Sequence, residues 1–135
     1  MSWQVIAIET DRKLYQIYSQ VISITDTHVR LVLIETMIFT QLINELMDED
    51  QYRELQNAIV GNPEAGDLIK KSGGLRKLRW KPEGRGKRGG ARVIYYWATA
   101  DDRFYMLYGY ARNEQADLTD DQLKALKAIV ERWRR

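Results

Sequence analysis

The apolar positions of this chain change period twice, and each change marks a different kind of element. Residues 29–36, VRLVLIET, form a run of β-branched and apolar side chains that predicts a strand. In the MIFTQLINELM that follows, Ile38, Leu42, Ile43 and Leu46 recur at helical spacing and predict a helix with one buried face. Asp48, with Gln51 three residues on, is a capping-box pattern that starts a second helix. Tyr52, Leu55 and Ile59 form its inner stripe, and Gly61, Asn62 and Pro63 stop it. From Leu75 the period is two. LRKLRWK (75–81), ARVIYYWA (91–98) and RFYMLYGYA (103–111) read as three strands of an antiparallel meander, the last two joined by a turn at Ala100, Asp101 and Asp102. Thr119 and Gln122 then repeat the capping pattern. Leu123, Leu126, Ile129, Val130 and Trp133 give the closing helix its apolar stripe. The order β-α-α-β-β-β-α is that of a small α+β domain, an antiparallel β-sheet with two N-terminal helices and a C-terminal helix.

Residues 1–28 stand outside this plan, so the chain divides into an N-terminal extension, 1–28, and a domain, 29–135. An added strand and helix, an arm, and sequence upstream of the natural start (Val29 then initiating) all remain open for the extension. The likeness of VIAIET (5–10) to LVLIET (31–36) is too short to make a repeat. With 135 residues, 44% of them apolar, the chain can build one packed core. The absence of cysteine excludes disulfides, thiolate metal sites and a cysteine nucleophile, and agrees with a reducing cytoplasm. His28 is the one histidine, so Ser-His-Asp and Cys-His catalysis and the familiar metal sites lack their residues, and no cofactor is expected. No apolar run approaches the roughly 20 residues that span a bilayer, and the N-terminus lacks the order of a signal peptide. A cytoplasmic protein without a membrane partner is the expectation.

Charge changes the picture more. The net charge of +2 hides nine Lys/Arg between Lys71 and Arg92 against one acid, Glu83, which is +8 in 22 residues and leaves −6 for the rest. A solvated basic loop and a phosphate-binding surface both fit this concentration, and the second attracts polyanions in a salt-dependent way. Within it, Gly84 to Gly89 matches G-x-G-x-x-G, but a dinucleotide loop opens a helix and here a strand follows. Alternation places Lys77, Arg79 and Lys81 on one face of their strand, with Leu78 and Trp80 on the other. Cations about 7 Å apart along a strand match the spacing of phosphates along a nucleic acid. Arg92 opens the next strand and Arg112 leaves the third, both near the same end. Tyr95, Tyr96, Trp97, Tyr105, Tyr108 and Tyr110 serve as core or sheet-face aromatics, and any on the basic face can stack on bases.

GGLRKLRW, the insertion GRGKRGG, ARVIYYW, RFYMLYGYARNEQADLT and the closing helix, with VLIETMIFTQLINELMDEDQYRELQNAIVGNPEAGD upstream, resemble the RelE superfamily of bacterial toxins. The HigB-type branch is the nearest, and the likeness runs from about Val29 to Trp133. The resemblance implies a RelE-like microbial RNase fold and the toxin of a type II toxin–antitoxin system. Such a toxin is a ribosome-dependent endoribonuclease, an mRNA interferase that cleaves mRNA in the A site of the 70S ribosome and stops translation. It is held in a hetero-oligomer by a helix-turn-helix antitoxin of HigA type. Matched by position, Lys77 and Arg79 correspond to the paired basic residues of the family's second strand, Arg92 to the arginine opening its third, and Arg112 to the basic position after the last. The implied roles are Lys77 as base, Arg79 and Arg92 as phosphate clamps, and Arg112 as support for charge or the leaving group. Arg76, Lys81, Arg85, Lys87 and Arg88 are the expected RNA-binding residues. Two positions depart from the family: Asn113 stands where RelE has a further arginine, and Thr119 lies in the region of its late tyrosine, so the acid has no match. A non-enzymatic binder of RNA or the ribosome with the same fold is the alternative. The ParE-like branch, which acts on gyrase, suits the basic loop less well.

Overall fold

The computed structural model describes residues 3–11, 28–81, 90–99 and 103–133. Its strands are β1 (Trp3–Asp11), β2 (His28–Thr36), β3 (Asp67–Leu68), β4 (Leu75–Trp80), β5 (Ala91–Ala98) and β6 (Arg103–Ala111). The helices are α1 (Met37–Leu46) and α2 (Glu49–Gly61), between β2 and β3, and α3 (Asp120–Trp133) at the end. The strands form one sheet in the order β1-β2-β6-β5-β4-β3. The β4–β5–β6 meander is antiparallel as its alternation predicts, and α+β is the right class. The sheet as a whole is mixed, which corrects the expectation of an antiparallel one: β2 runs parallel to β6, from Val32 opposite Arg103 to Glu35 opposite Met106. Parallel neighbours need a long crossover, and here α1, α2 and the meander supply it. The structure adds two strands to the predicted order, the short β3 on one edge and β1 on the other. β1 pairs antiparallel with β2 over its whole length, Val5 opposite Ile34 and Ile8 opposite Leu31.

Helices cover both faces. Phe39, Ile43, Leu55, Ile59, Val93, Tyr95, Phe104 and Met106 pack together beneath α1 and α2. Leu75, Ile94, Leu107, Tyr110, Leu126 and Val130 form a second cluster beneath α3. Val93, Ile94 and Tyr95 thus go to alternate layers, as period two requires. Thr36 caps α1, accepting from the Phe39 N–H at 2.9 Å and donating to Leu107 O at 3.0 Å. That anchor sets the helix phase, so Phe39 and Ile43 point inward while Ile38, expected in the buried stripe, is 49% exposed. The Asp48–Gln51 capping box of α2 is present, and Leu55 and Ile59 are fully buried.

Two irregularities shape the α3 face. Gly90, just before β5, has φ +72°, and a Cβ there would lie 1.9 Å from Trp80 O, so the chain can close back on β4 only with glycine. In β6 the register shifts by one: Tyr95 pairs with Met106 and Ile94 with Tyr108, leaving Leu107 as the extra residue of a bulge. Phe104 and Met106 belong to the α1–α2 layer, but beyond the bulge Tyr108 and Tyr110 belong to the α3 layer.

Candidate nucleic-acid interface

The cations predicted on β4 meet the rest of the face through the ladder. Arg79 pairs with Arg92, and Arg92 with Tyr110. The neighbouring row is Lys77, Ile94 and Tyr108. Cross-strand partners share a face, so Lys77, Arg79, Arg92, Tyr108 and Tyr110 form one patch. Arg79 is exposed, Arg92 and Lys77 are half-buried, and Tyr110 is buried. Like charges directly opposite in a ladder are destabilising, by roughly 0.2–1 kcal/mol. The Arg79–Arg92 pair is such a cost, and an anion bound between them would relieve it.

An aspartate partly relieves it already. Lys77 Nζ donates to Asp117 Oδ1 at 2.5 Å. The hydrogen bond and charge of Lys77, followed by the charges of Arg79 and Arg92, hold the Asp117 carboxyl below the usual carboxylate range. The turn that presents Asp117 is organised by the start of α3. Thr119 caps the helix, accepting from the Gln122 N–H at 3.1 Å, while Gln122 Oε1 accepts from the Thr119 N–H at 2.9 Å, completing the predicted box. Gln122 Oε1 also accepts from Gln115 Nε2 at 2.9 Å, and Gln122 Nε2 donates to Tyr108 OH at 3.0 Å. Gln115 Nε2 further donates to Asp117 O at 2.8 Å. Beside this network the Tyr110 hydroxyl is buried without a hydrogen-bond partner. Burial, then the Asp117 charge, pushes that phenol up, against a lowering by Arg92.

The other predicted site residues fall elsewhere. Arg76 lies on the opposite face of β4, where its guanidinium donates to Gly66 O at 2.8 Å and Glu64 O at 3.5 Å and ties down the loop before β3. Lys81 is exposed just past β4. Arg112 is exposed just past β6, and its backbone N–H donates to Gly90 O at 3.2 Å. Arg85, Lys87 and Arg88 lie outside the described residues, as does the turn at 100–102. Tyr110 is one of the aromatics expected to stack on bases if it shared the basic face, whereas nothing in the sequence marks Asp117 or the Gln115–Gln122 link. The capping box was the one local signal near them, and placing Tyr110 beside Arg92 requires the bulge.

Chemically the patch offers two guanidiniums and an ammonium to a phosphodiester, with phenols at its border. Guanidiniums suit phosphate oxygens through bidentate contact. The described residues contain no cluster of three or more His, Cys, Asp or Glu that could hold a metal ion. No described helix is long and apolar enough to cross a membrane. Comparison with known protein families matches residues 39–135 to the RelE toxin of the RelE / RelB toxin-antitoxin system. That span contains Lys77, Arg79, Arg92, Tyr110 and Asp117, and this chain belongs to the RelE toxin family.

Proposed function

We propose that this chain is the HigB-type toxin of a type II toxin–antitoxin pair, a ribosome-dependent endoribonuclease that cuts mRNA in the A site. The observation that carries this reading is the convergence of Lys77, Arg79 and Arg92 through the β4–β5 ladder onto one partly open face. RNA carries its own nucleophile. The 2′-oxygen bonds to the adjacent phosphorus and loses its proton to water, the P–O5′ bond breaks, and O5′ takes up a proton. The products are a 2′,3′-cyclic phosphate and a 5′-hydroxyl. The protein supplies orientation and a field for the charge that builds on the non-bridging oxygens. Arg79 and Arg92 clamp those oxygens. The resemblance implies Lys77 as base, whereas its contact with the Asp117 carboxylate favours the role of donor to O5′. Lys81, Arg112 and the basic loop residues Arg85, Lys87 and Arg88 hold flanking RNA. A helix-turn-helix antitoxin of HigA type is the partner that holds the toxin inactive in the cytoplasm.

Primer extension on translated mRNA tests the reading. Wild-type protein is expected to leave sharp 5′ ends in phase with codons. Removing one charge-stabilising donor costs on the order of 10²–10³-fold in rate, so the double change Lys77→Ala with Arg92→Ala should abolish the cuts and relieve growth arrest. Arrested translation without new 5′ ends would leave the binding-only alternative, and a fully toxic double variant would remove these residues from the site.

A further inference from the structure

Lys77 and Asp117 are 40 residues apart and reach each other from two separately ordered elements. β4 fixes Lys77 in the ladder, while the turn ahead of α3 fixes Asp117 by hydrogen bonds in which Lys77 has no part. The Asp117 side chain is 71% exposed and that of Lys77 20%, so the carboxylate stands on the solvent side of the ammonium. An exposed ion pair contributes little to stability. This one also removes a unit of positive charge from a patch whose value to RNA is its positive charge. A carboxylate that weakens phosphate binding, yet stands on a turn ordered by its own hydrogen bonds, makes sense if it controls where the Lys77 ammonium is held.

We propose that Asp117 is a positioning residue of the RNA-cleaving site, holding the Lys77 ammonium beside the Arg79–Arg92 pair and opposing tight binding of RNA phosphate. This rests on the nuclease reading above. It predicts that affinity and rate move in opposite senses when the charge is removed. Asp117→Asn keeps the size and hydrogen-bonding reach of the side chain but deletes its charge. RNA should bind about two- to fivefold more tightly, the scale of one exposed charge pair. Cleavage should slow on the order of 10²-fold, the effect of a displaced proton donor. Asp117→Glu restores the charge and should recover most of the rate. The position is exposed, so both variants should melt like wild type.

The experiment uses the full chain with ribosomes carrying a defined A-site codon. Single-turnover cleavage gives the rate, and the same message with a 2′-deoxy nucleotide at the scissile position gives affinity without cutting. A slower, tighter-binding Asp117→Asn and a rescued Asp117→Glu support the proposal. An Asp117→Asn variant that cuts at the wild-type rate, or binds the deoxy message no more tightly, overturns it. Wild-type protein that produces no new 5′ ends would instead sink the nuclease reading beneath it, a pattern distinct from an active wild type with an unaltered variant.

Discussion

Two tyrosines carry opposite consequences for stability. Glu35, 2% exposed, accepts hydrogen bonds from Thr40 Oγ1 at 2.6 Å and from the Tyr52 hydroxyl. A carboxylate taken out of water depends on such donors. Burial, then the charge and hydrogen bond of Glu35, drives the Tyr52 phenol far above its ordinary value. Tyr52→Phe removes the donor and leaves the acceptor, a loss of about 1.5–3 kcal/mol for a hydrogen bond to a charged group. Calorimetry should show a fall in thermal midpoint of roughly 5–10 °C, and an unchanged midpoint would mean that Glu35 does not need this donor. Tyr110 is the converse, because its buried hydroxyl has no partner to lose. Tyr110→Phe should therefore leave the midpoint unchanged or raise it, by at most about 1 kcal/mol of stability. A fall in midpoint would show that the hydroxyl is satisfied in solution.

Among elements, the β4–β5 hairpin depends most on a single residue. The Gly90 backbone has a positive φ and a Cβ there would strike Trp80 O, while Gly90 O accepts from the Arg112 N–H. Gly90→Ala should destabilise the domain by about 2 kcal/mol or more and loosen the Arg79–Arg92 register that follows it. Denaturant midpoint and RNA affinity should fall together, and a variant with both unchanged would show that the closure tolerates a side chain. This element also marks how far the sequence could be read. β4, β5, β6, the α2 capping box and α3 were legible because period-two alternation and capping chemistry are local. The parallel β2–β6 pairing, the two-residue β3 and the Leu107 bulge were not, since each is a choice of register between distant segments. Ile38 fits a helical stripe as well as Phe39 does, and only the Thr36 link to Leu107 O decides between them. VIAIET and LVLIET resemble each other as two strands of one sheet do, and they lie paired in β1 and β2. At the site, the shared face of Lys77 and Arg79 was readable from alternation, and Arg92 beside it from the meander. Asp117 was not, because no pattern in the sequence ties it to a lysine 40 residues away.

The central strands β4, β5 and β6 are buried on both faces, so phenols from different layers share one fate. Tyr52 on α2 and Tyr95 on β5 belong to the α1–α2 layer, and Tyr110 on β6 to the α3 layer. Burial is the largest cause of an upward shift in all three. The folded state therefore favours the protonated phenol, whereas the unfolded chain ionises near the ordinary value of 10.0. Stability from this source is fully present below that pH and drains away as pH rises through the folded values. The exposed Asp117 acts at the other end. Its carboxyl is lowered in the fold, so the small contribution of its pair with Lys77 is present above the usual carboxylate range and lost as pH falls through the folded value. A plateau between these limits is expected, with its steeper edge on the alkaline side because those groups are buried. Raising pH past about 10 should ionise Tyr52, Tyr95 and Tyr110 only together with the loss of circular dichroism, with ionisation followed by phenolate absorbance. Tyr52→Phe should make the alkaline fall of stability shallower, since it removes the most strongly shifted group. Complete titration of all phenols near pH 10 with the native spectrum intact would refute this account, and with it the claim that both layers of the core are closed to water.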